Sequence, residues 1–157
     1  MHPRAAEFAS RAEADHGLDV DVHEFDEGTK TAADAAAAIG CEIAEIASSL
    51  VFDTPDPVVV VASGANRVSE AKLAAAVGTV ENEVGMASPE TIRETVGWSI
   101  GGVPPFCHDK RVPVYLDETL QGFDEVWAAA GTPQAVFPIA PEAIREIAGA
   151  ETIDVAE

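Results

Sequence analysis

Basic residues are scarce in this chain. Nine Lys and Arg stand against 28 Asp and Glu, which gives a formal net charge of −19 and a pI near 4.3. A nucleic-acid-binding surface ordinarily carries a basic patch, so an evenly acidic chain argues against nucleic-acid binding at low salt. Adaptation to concentrated salt would explain the excess of acidic residues. At 1 M salt the Debye length falls to about 3 Å, and repulsion between surface carboxylates is then screened. We expect a halophilic protein in which most acidic residues form solvated surface.

The chain also has few cysteines, no metal-ligand pattern and no long apolar run. Cys41 and Cys107 are the only cysteines and the four histidines are scattered, so no structural metal site is expected. The first residues lack the basic start and apolar run of a signal peptide. The longest apolar run, residues 57–62, is far shorter than the roughly 20 residues of a membrane helix. We expect a cytoplasmic protein with free thiols, no cofactor and no membrane partner.

The length of 157 residues, 47% of them hydrophobic, suits one buried core, so residues 1–157 are expected to form a single domain. Apolar periodicity, capping residues and terminal glycines predict five helices, at 5–16, 31–40, 69–78, 88–97 and from 141 onward, and a short helical turn at 42–46. Alternating or β-branched runs predict strands at 20–25, 49–52, 57–62, 112–117, 125–129, 135–138 and 152–155. The fold class is therefore α/β (α+β): a mixed, mostly antiparallel sheet, curled or forming a partial barrel, with helices around it.

One loop stands out, at residues 97–108 with the sequence GWSIGGVPPFCH. Paired glycines let backbone N–H groups approach a ligand without an intervening β-carbon, and the paired prolines that follow fix the path of the chain. Such a loop is typical of a binding site. The alternative is a purely structural turn.

Five motifs occur in a characteristic order, at residues 31–36, 46–52, 72–74, 100–105 and 114–117. In these motifs the chain resembles the YbaK and prolyl-tRNA synthetase associated domain family, whose members hydrolyse wrongly charged aminoacyl-tRNA. The resemblance runs from about Thr31 to Val155. It implies the same curled, mixed sheet.

The resemblance also implies a site between the glycine–proline loop and the strand at 46–52. Backbone N–H groups there would face the aminoacyl carbonyl, where hydrolysis develops negative charge. A substrate ribose hydroxyl or a held water would act as nucleophile, which agrees with the lack of an obvious catalytic triad. The candidate N–H donors are Gly101, Gly102 and Val103. The candidate substrate-binding residues are Ser48, Ser49, Lys72, Pro105, His108 and Asp117.

Ser48 departs from the family pattern, because many members carry a lysine there that is taken to contact substrate phosphate or ribose. Serine donates a hydrogen bond but has no positive charge. Either a cation from elsewhere replaces the lysine, or the ligand differs, or Ser48 is a plain strand residue. The candidate replacements are Lys72, Arg67 and Lys110.

For the other candidates, too, a purely structural role is the alternative to a functional one. His108 either orients water or a hydroxyl, or is a hydrogen-bonded loop histidine. Asp117 either holds a substrate amine or bonds loop backbone. Cys107 is interpreted as inert packing rather than a nucleophile, and Trp98 and Trp127 as core rather than stacking platforms.

The function that these observations favour is a free-standing aminoacyl-tRNA deacylase, a trans-editing enzyme that acts at the 3′ end of mischarged tRNA. The alternative is a non-catalytic module of the same fold that binds a nucleotide, an amino-acid derivative or a protein. Retention of Gly101, Gly102 and Pro105 favours the enzyme, and serine at residue 48 favours the module. The amino acid, the tRNA and the oligomeric state are not determined by the sequence.

Overall fold

A computed structural model of the chain describes residues 1–25 and 31–157. Within them lie five α-helices: α1 (Pro3–His16), α2 (Ala32–Ile39), α3 (Glu70–Val77), α4 (Pro89–Val96) and α5 (Pro141–Ala148). Every one is followed by a glycine with positive φ, which favours a residue without a β-carbon. Thr31, Ser69 and Ser88 cap α2, α3 and α4 through their side chains, as the sequence predicts.

The described strands are β1 (His23–Glu24), β2 (Ile46–Asp53), β3 (Pro57–Ser63), β4 (Gly85–Met86), β5 (Val114–Asp117), β6 (Val126–Ala129), β7 (Ala135–Ile139) and β8 (Glu151–Ile153). They form one sheet in the order β1-β7-β6-β2-β3-β5-β8, and β4 pairs with β2. Four of the seven pairings are antiparallel and three, β2 with β6, β3 with β5 and β5 with β8, are parallel. The prediction of a mixed, mostly antiparallel sheet is confirmed. The sheet is open and does not close into a barrel.

Both faces of the central strands are buried. Ala47, Val51, Val59 and Val61 point into the larger core cluster, while Phe52, Val58, Val60 and Ala62 point into a second cluster with Leu73 of α3. Burial on both faces explains why residues 57–62 form an unbroken apolar run rather than an alternating one. Phe8 of α1 sits in the larger cluster with Trp98, Phe106 and Phe137 around its ring.

The strand predicted at residues 20–25 is the main discrepancy, because only His23–Glu24 pairs, with β7. Val20 and Val22 pack against the core as partly buried residues without a ladder partner. The alternation of apolar and polar residues at 20–25 therefore reflects burial of every second side chain and not pairing with a neighbouring strand along the whole segment. Strand β4 is absent from the sequence prediction, since two residues carry no periodic signal.

No helix in the described part of the chain is both long and apolar enough to cross a membrane. The same residues contain no group of three or more His, Cys, Asp or Glu side chains arranged to hold a metal ion.

Candidate functional site

The edge of β2 that faces away from β3 is interrupted. On that edge β6 pairs with Ile46 and Ala47, and β4 pairs with Phe52 and Asp53. The Val51 carbonyl accepts a hydrogen bond from the Ala87 N–H at 3.0 Å. Residues 48–50 lie between these partners, and no strand of the described residues pairs with them on that edge, so the described sheet has a gap there.

The backbone of Ser49 is directed into this gap. The Ile46 carbonyl points towards β3, where it accepts from the Gly64 N–H at 2.8 Å, whereas the Val51 carbonyl points the other way, to Ala87. Backbone polar groups alternate between the two edges of a strand. Residue 49 lies two positions before residue 51 and therefore directs its backbone groups to the same edge. Its N–H and C=O both face the gap.

A cavity of about 220 Å³ occupies the gap. It lies between β2, the start of α2, β6 and the glycine–proline loop, and it contains both Ser48 and Ser49 in its lining. None of its described lining residues is charged, and the polar side chains among them are Thr31, Ser48, Ser49 and Trp127. The lining residues are Thr31, Ala32, Ala35, Ile46, Ala47, Ser48, Ser49, Leu50, Val51, Met86, Ile92, Ile100, Gly101, Val103, Trp127, Ala129, Pro133 and Val136.

Two of the three candidate N–H donors of the loop lie at this cavity. Gly101 and Val103 line it, and in the described ranges neither N–H donates to a protein acceptor. Gly102 does not line the cavity, and its N–H donates to the Ser99 carbonyl at 2.9 Å. Gly101 and Val103 therefore remain predicted donors towards a ligand, whereas the Gly102 N–H belongs to the internal structure of the loop.

The two ends of the loop are fastened together. Trp98 is fully buried, and its Nε1 donates to the Cys107 carbonyl at 2.9 Å. The His108 Nε2 atom lies 2.8 Å from the Pro104 carbonyl oxygen. Pro105 is buried and does not line the cavity. Pro105 thus contributes to the shape of the loop and does not reach the cavity surface.

Lys72 and Asp117 lie away from the cavity and have other partners. The Lys72 ammonium bonds Asp154 at 2.9 Å and the Ala156 carbonyl at 2.7 Å, which ties α3 to the chain after β8. Asp117 is fully buried and its carboxylate accepts from the Ser63 N–H, the Asn66 amide and the Thr119 N–H. Asp117 therefore bonds loop backbone, the structural alternative named above.

Neither of the other two proposed substitute cations lines the cavity. Arg67 is paired with Glu157 at 3.7 Å. Lys110 lines a second, wider cleft of about 520 Å³ between α1, α5 and the end of the loop. Within residues 1–25 and 31–157, no cation lines the cavity beside Ser48.

His108 and Cys107 belong to the second cleft. Burial lowers the pKa of His108, so the imidazole is neutral at pH 7 and Nε2–H donates to Pro104. Burial raises the pKa of Cys107 to about 11, which keeps the thiol protonated. A protonated, buried thiol is a poor nucleophile, in agreement with the packing interpretation.

Sequence reasoning missed part of the cavity wall. Trp127 is half-buried and lines the cavity, whereas the sequence suggested a core residue. Its ring is nearly perpendicular to that of His23, with 5.1 Å between the ring centroids. Met86, Ile92 and Pro133 also line it. Apolar wall residues carry no signal that separates them from core, although Thr31 belonged to a recognised motif.

Comparison with known proteins places this geometry in a family. Residues 26–147 match the aminoacyl-tRNA editing domain. YwhH, an uncharacterized protein of Bacillus subtilis strain 168, is 33% identical over 130 residues, which are 80% of this chain and 80% of that protein. EbsC of Enterococcus faecalis strain V583, a proposed Cys-tRNA(Pro)/Cys-tRNA(Cys) deacylase, is 28% identical over 151 residues, 94% of this chain and 91% of that protein.

A solved structure agrees in fold along its whole length. The crystal structure of a proposed trans-editing enzyme for prolyl-tRNA synthetase superposes with a TM-score of 0.92 at 38% identity, covering 100% of this chain and 99% of the other. The family match spans most of the chain and includes the β2 edge, the loop and their shared cavity. The protein is a member of the aminoacyl-tRNA editing domain family.

Proposed function

We propose that this protein is a free-standing deacylase that hydrolyses the ester of a mischarged aminoacyl-tRNA, and that the cavity at the β2 edge receives the aminoacyl ribose of the tRNA 3′ end. The observation that carries the proposal is a cavity without charge among its described lining residues, beside two loop N–H groups, those of Gly101 and Val103, that donate to no acceptor in the described ranges. Family membership supports hydrolysis of an aminoacyl ester. The names given to EbsC and to the prolyl-tRNA synthetase neighbour support tRNA as substrate.

The cavity favours a small, uncharged amino acid. Its volume of about 220 Å³ is below that of a drug-sized pocket, roughly 300–1,000 Å³. A charged side chain would lose its hydration there without meeting an opposite charge among the described lining residues. Size discrimination in such a pocket is worth only about 1–3 kcal/mol per methylene, so related small side chains compete.

In the proposed reaction, water adds across the ester. The bond between the acyl carbon and the ribose oxygen breaks, which yields the free amino acid and a free ribose hydroxyl. The loop N–H groups stabilise the negative charge that develops on the carbonyl oxygen. The described lining residues include no Cys, His or carboxylate, so water supplies the attacking oxygen, and its proton passes to the departing ribose oxygen, directly or through a neighbouring hydroxyl of the substrate.

Hydrolysis of a panel of mischarged tRNAs in molar potassium chloride tests the proposal. Alanyl, seryl and cysteinyl esters should be cleaved faster than glutamyl, lysyl and phenylalanyl esters, each corrected for spontaneous hydrolysis. Ala129→Leu, which fills the cavity, should abolish cleavage. Ala6→Leu on the exposed side of α1 is the matched control and should leave cleavage unchanged.

The non-catalytic alternative gives a different result in the same experiment. A protein that binds a non-hydrolysable aminoacyl-adenosine but cleaves no ester of the panel would be a binding module. Cleavage that survives Ala129→Leu at full rate would contradict the assignment of the cavity as the site.

A further inference from the structure

The Ser49 hydroxyl is a buried cavity group without a described hydrogen-bond partner. Its Oγ is shielded from solvent and has no hydrogen-bond partner, the sole such buried side-chain atom in the part of the chain that the structure describes. Thr31, another hydroxyl of the lining, already accepts from the Asp34 N–H at 3.1 Å. A buried hydroxyl without a partner is unfavourable, so a ligand that supplies one gains from it.

The backbone of the same residue is also available on the cavity side. The alternation fixed by Ile46 and Val51 directs the Ser49 N–H and C=O into the gap, and none of the described strands pairs with residue 49 on that side. Within an antiparallel sheet, two facing residues exchange both of their backbone hydrogen bonds. A short extended group can add to an open sheet edge in the same way.

An aminoacyl ester carries the two groups that such a pairing requires. Its α-amino group donates and its ester carbonyl accepts, and one α-carbon separates them, as in a residue of a strand. We propose, on the basis of the proposed function, that the aminoacyl group docks on Ser49 as a one-residue β-bridge. The Ser49 C=O accepts from the α-amino group and the Ser49 N–H donates to the ester carbonyl.

This docking also determines what the Ser49 side chain contacts. Residues that face each other across two strands place their side chains on the same face of the sheet. Ala47 and Val51 point into the larger core cluster, so Ser49 between them points to that face, where Ile92 and Val103 wall the cavity. The substrate side chain therefore meets two apolar walls and one hydroxyl. The pocket prefers a small side chain with its own hydrogen-bonding group.

Esters that differ only at the amino group test the bridge with the intact protein. The substrates are the same tRNA carrying alanyl, lactyl or propionyl groups, in which the amine is present, replaced by hydroxyl or absent. Each enzymatic rate is divided by the spontaneous rate, because the amine changes the lability of the ester. The bridge predicts that alanyl exceeds propionyl at least tenfold, with lactyl between them.

The side-chain contact is tested by Ser49→Ala, with thermal unfolding measured to confirm the fold. The preference for seryl over alanyl ester should fall several-fold, while the preference for alanyl over propionyl stays, because the backbone is retained. Ser10→Ala, an exposed hydroxyl of α1, is the control and should alter neither ratio.

The outcomes separate the two proposals. Equal normalised cleavage of alanyl and propionyl esters overturns the bridge and leaves the deacylase function standing. An unchanged seryl-to-alanyl ratio in Ser49→Ala overturns the assignment of the hydroxyl to the substrate side chain. Cleavage of none of the esters overturns the proposed function, and the bridge with it.

Discussion

Gly102 lies so close to Thr132 that a β-carbon on residue 102 would stand 2.7 Å from the Thr132 Cα. Thr132 belongs to the turn between β6 and β7, and β6 forms one side of the gap in the sheet. The backbone of the loop is thus pressed directly against the backbone of this turn. This contact holds the neighbouring residues, Gly101 and Val103, at the cavity.

Gly102→Ala should therefore move the loop and reduce deacylation strongly. Overpacking of this kind typically costs about 1–3 kcal/mol of unfolding free energy. Gly122→Ala is the matched control, since nothing lies within 4 Å of a β-carbon there, and its stability should stay within about 0.5 kcal/mol of wild type. Urea unfolding and kcat/KM are the measurements. Wild-type activity in Gly102→Ala would show that this contact does not position the loop.

Gly101→Ala acts through a different cause. Gly101 has φ of +84°, a conformation that side chains with a β-carbon disfavour, and its β-carbon would meet Pro133 at an ordinary 3.4 Å. Strain of this type costs roughly 1–2 kcal/mol. Alanine at residue 101 consequently changes both stability and site, and Gly102 is the cleaner probe of the loop contact.

His108 should make stability fall as the pH is lowered from neutral. Burial lowers the pKa of folded His108, whereas the unfolded side chain binds a proton near its ordinary value of 6.5. Below that value the unfolded state holds more protons than the folded state, so acid favours unfolding. His108→Gln, which can still donate to Pro104, should flatten the unfolding free energy between pH 7 and 5.5.

The exposed carboxylates act in a lower pH window. Hydrogen bonds from Arg145 and Lys72 lower the pKa values of Glu142 and Asp154 below their ordinary values of 4.5 and 3.8. Their contributions are lost only as the pH falls below those values. If the unfolding free energy of His108→Gln depends on pH between 7 and 5.5 as that of the wild type does, groups other than His108 cause this dependence.

Ser48→Lys should tighten binding of a non-hydrolysable aminoacyl-adenosine 5′-phosphate. The described cavity lining has no cation, and a charge-assisted hydrogen bond contributes about 1.5–3 kcal/mol. Dissociation constants at low and high potassium chloride are the measurement, and the gain should shrink as salt screens it. Ser48→Met and the analogue without phosphate are controls. An equal gain for the analogue without phosphate would exclude a phosphate contact.

High salt should stabilise the fold, because the net charge of −19 repels itself in dilute buffer. Each kcal/mol gained corresponds to a rise of roughly 2–4 °C in Tm for a chain of this size. Thermal unfolding between 0.1 M and 2 M potassium chloride is the measurement, with sucrose as an uncharged control that provides no screening. A constant Tm across this range would reject the halophilic interpretation.

The helices were predictable because their signals are local. Ser88 before Pro89 starts α4, and Gly97 in the left-handed conformation ends it, all within ten residues. The unbroken apolar run at 57–62 likewise predicted the buried strand β3. The order of motifs was sufficient to suggest the family, which the family match confirms.

The partners of side chains were not predictable in the same way. Lys72 was a candidate for the site, yet it bonds Asp154, 82 residues further along the chain. Asp117 was another, yet it bonds Ser63 and Asn66, more than 50 residues away. Such pairings depend on which strands and helices become neighbours, and residue type alone does not report this.

The amino-acid sequence by itself determined the helices, most strands and the loop with its glycines and prolines, because capping, periodicity and backbone preference act over a few residues. The resemblance pointed to the region between the loop and β2, and the tertiary structure decided which groups of that region line the cavity. The gap beside Ser49 exists because β6 ends its pairing at Ala47 and β4 begins at Phe52, and these three strands are far apart in the chain. Register between distant strands is set by packing of the whole core, so the sequence named Ser49 as a candidate but only the fold shows that its backbone faces the gap.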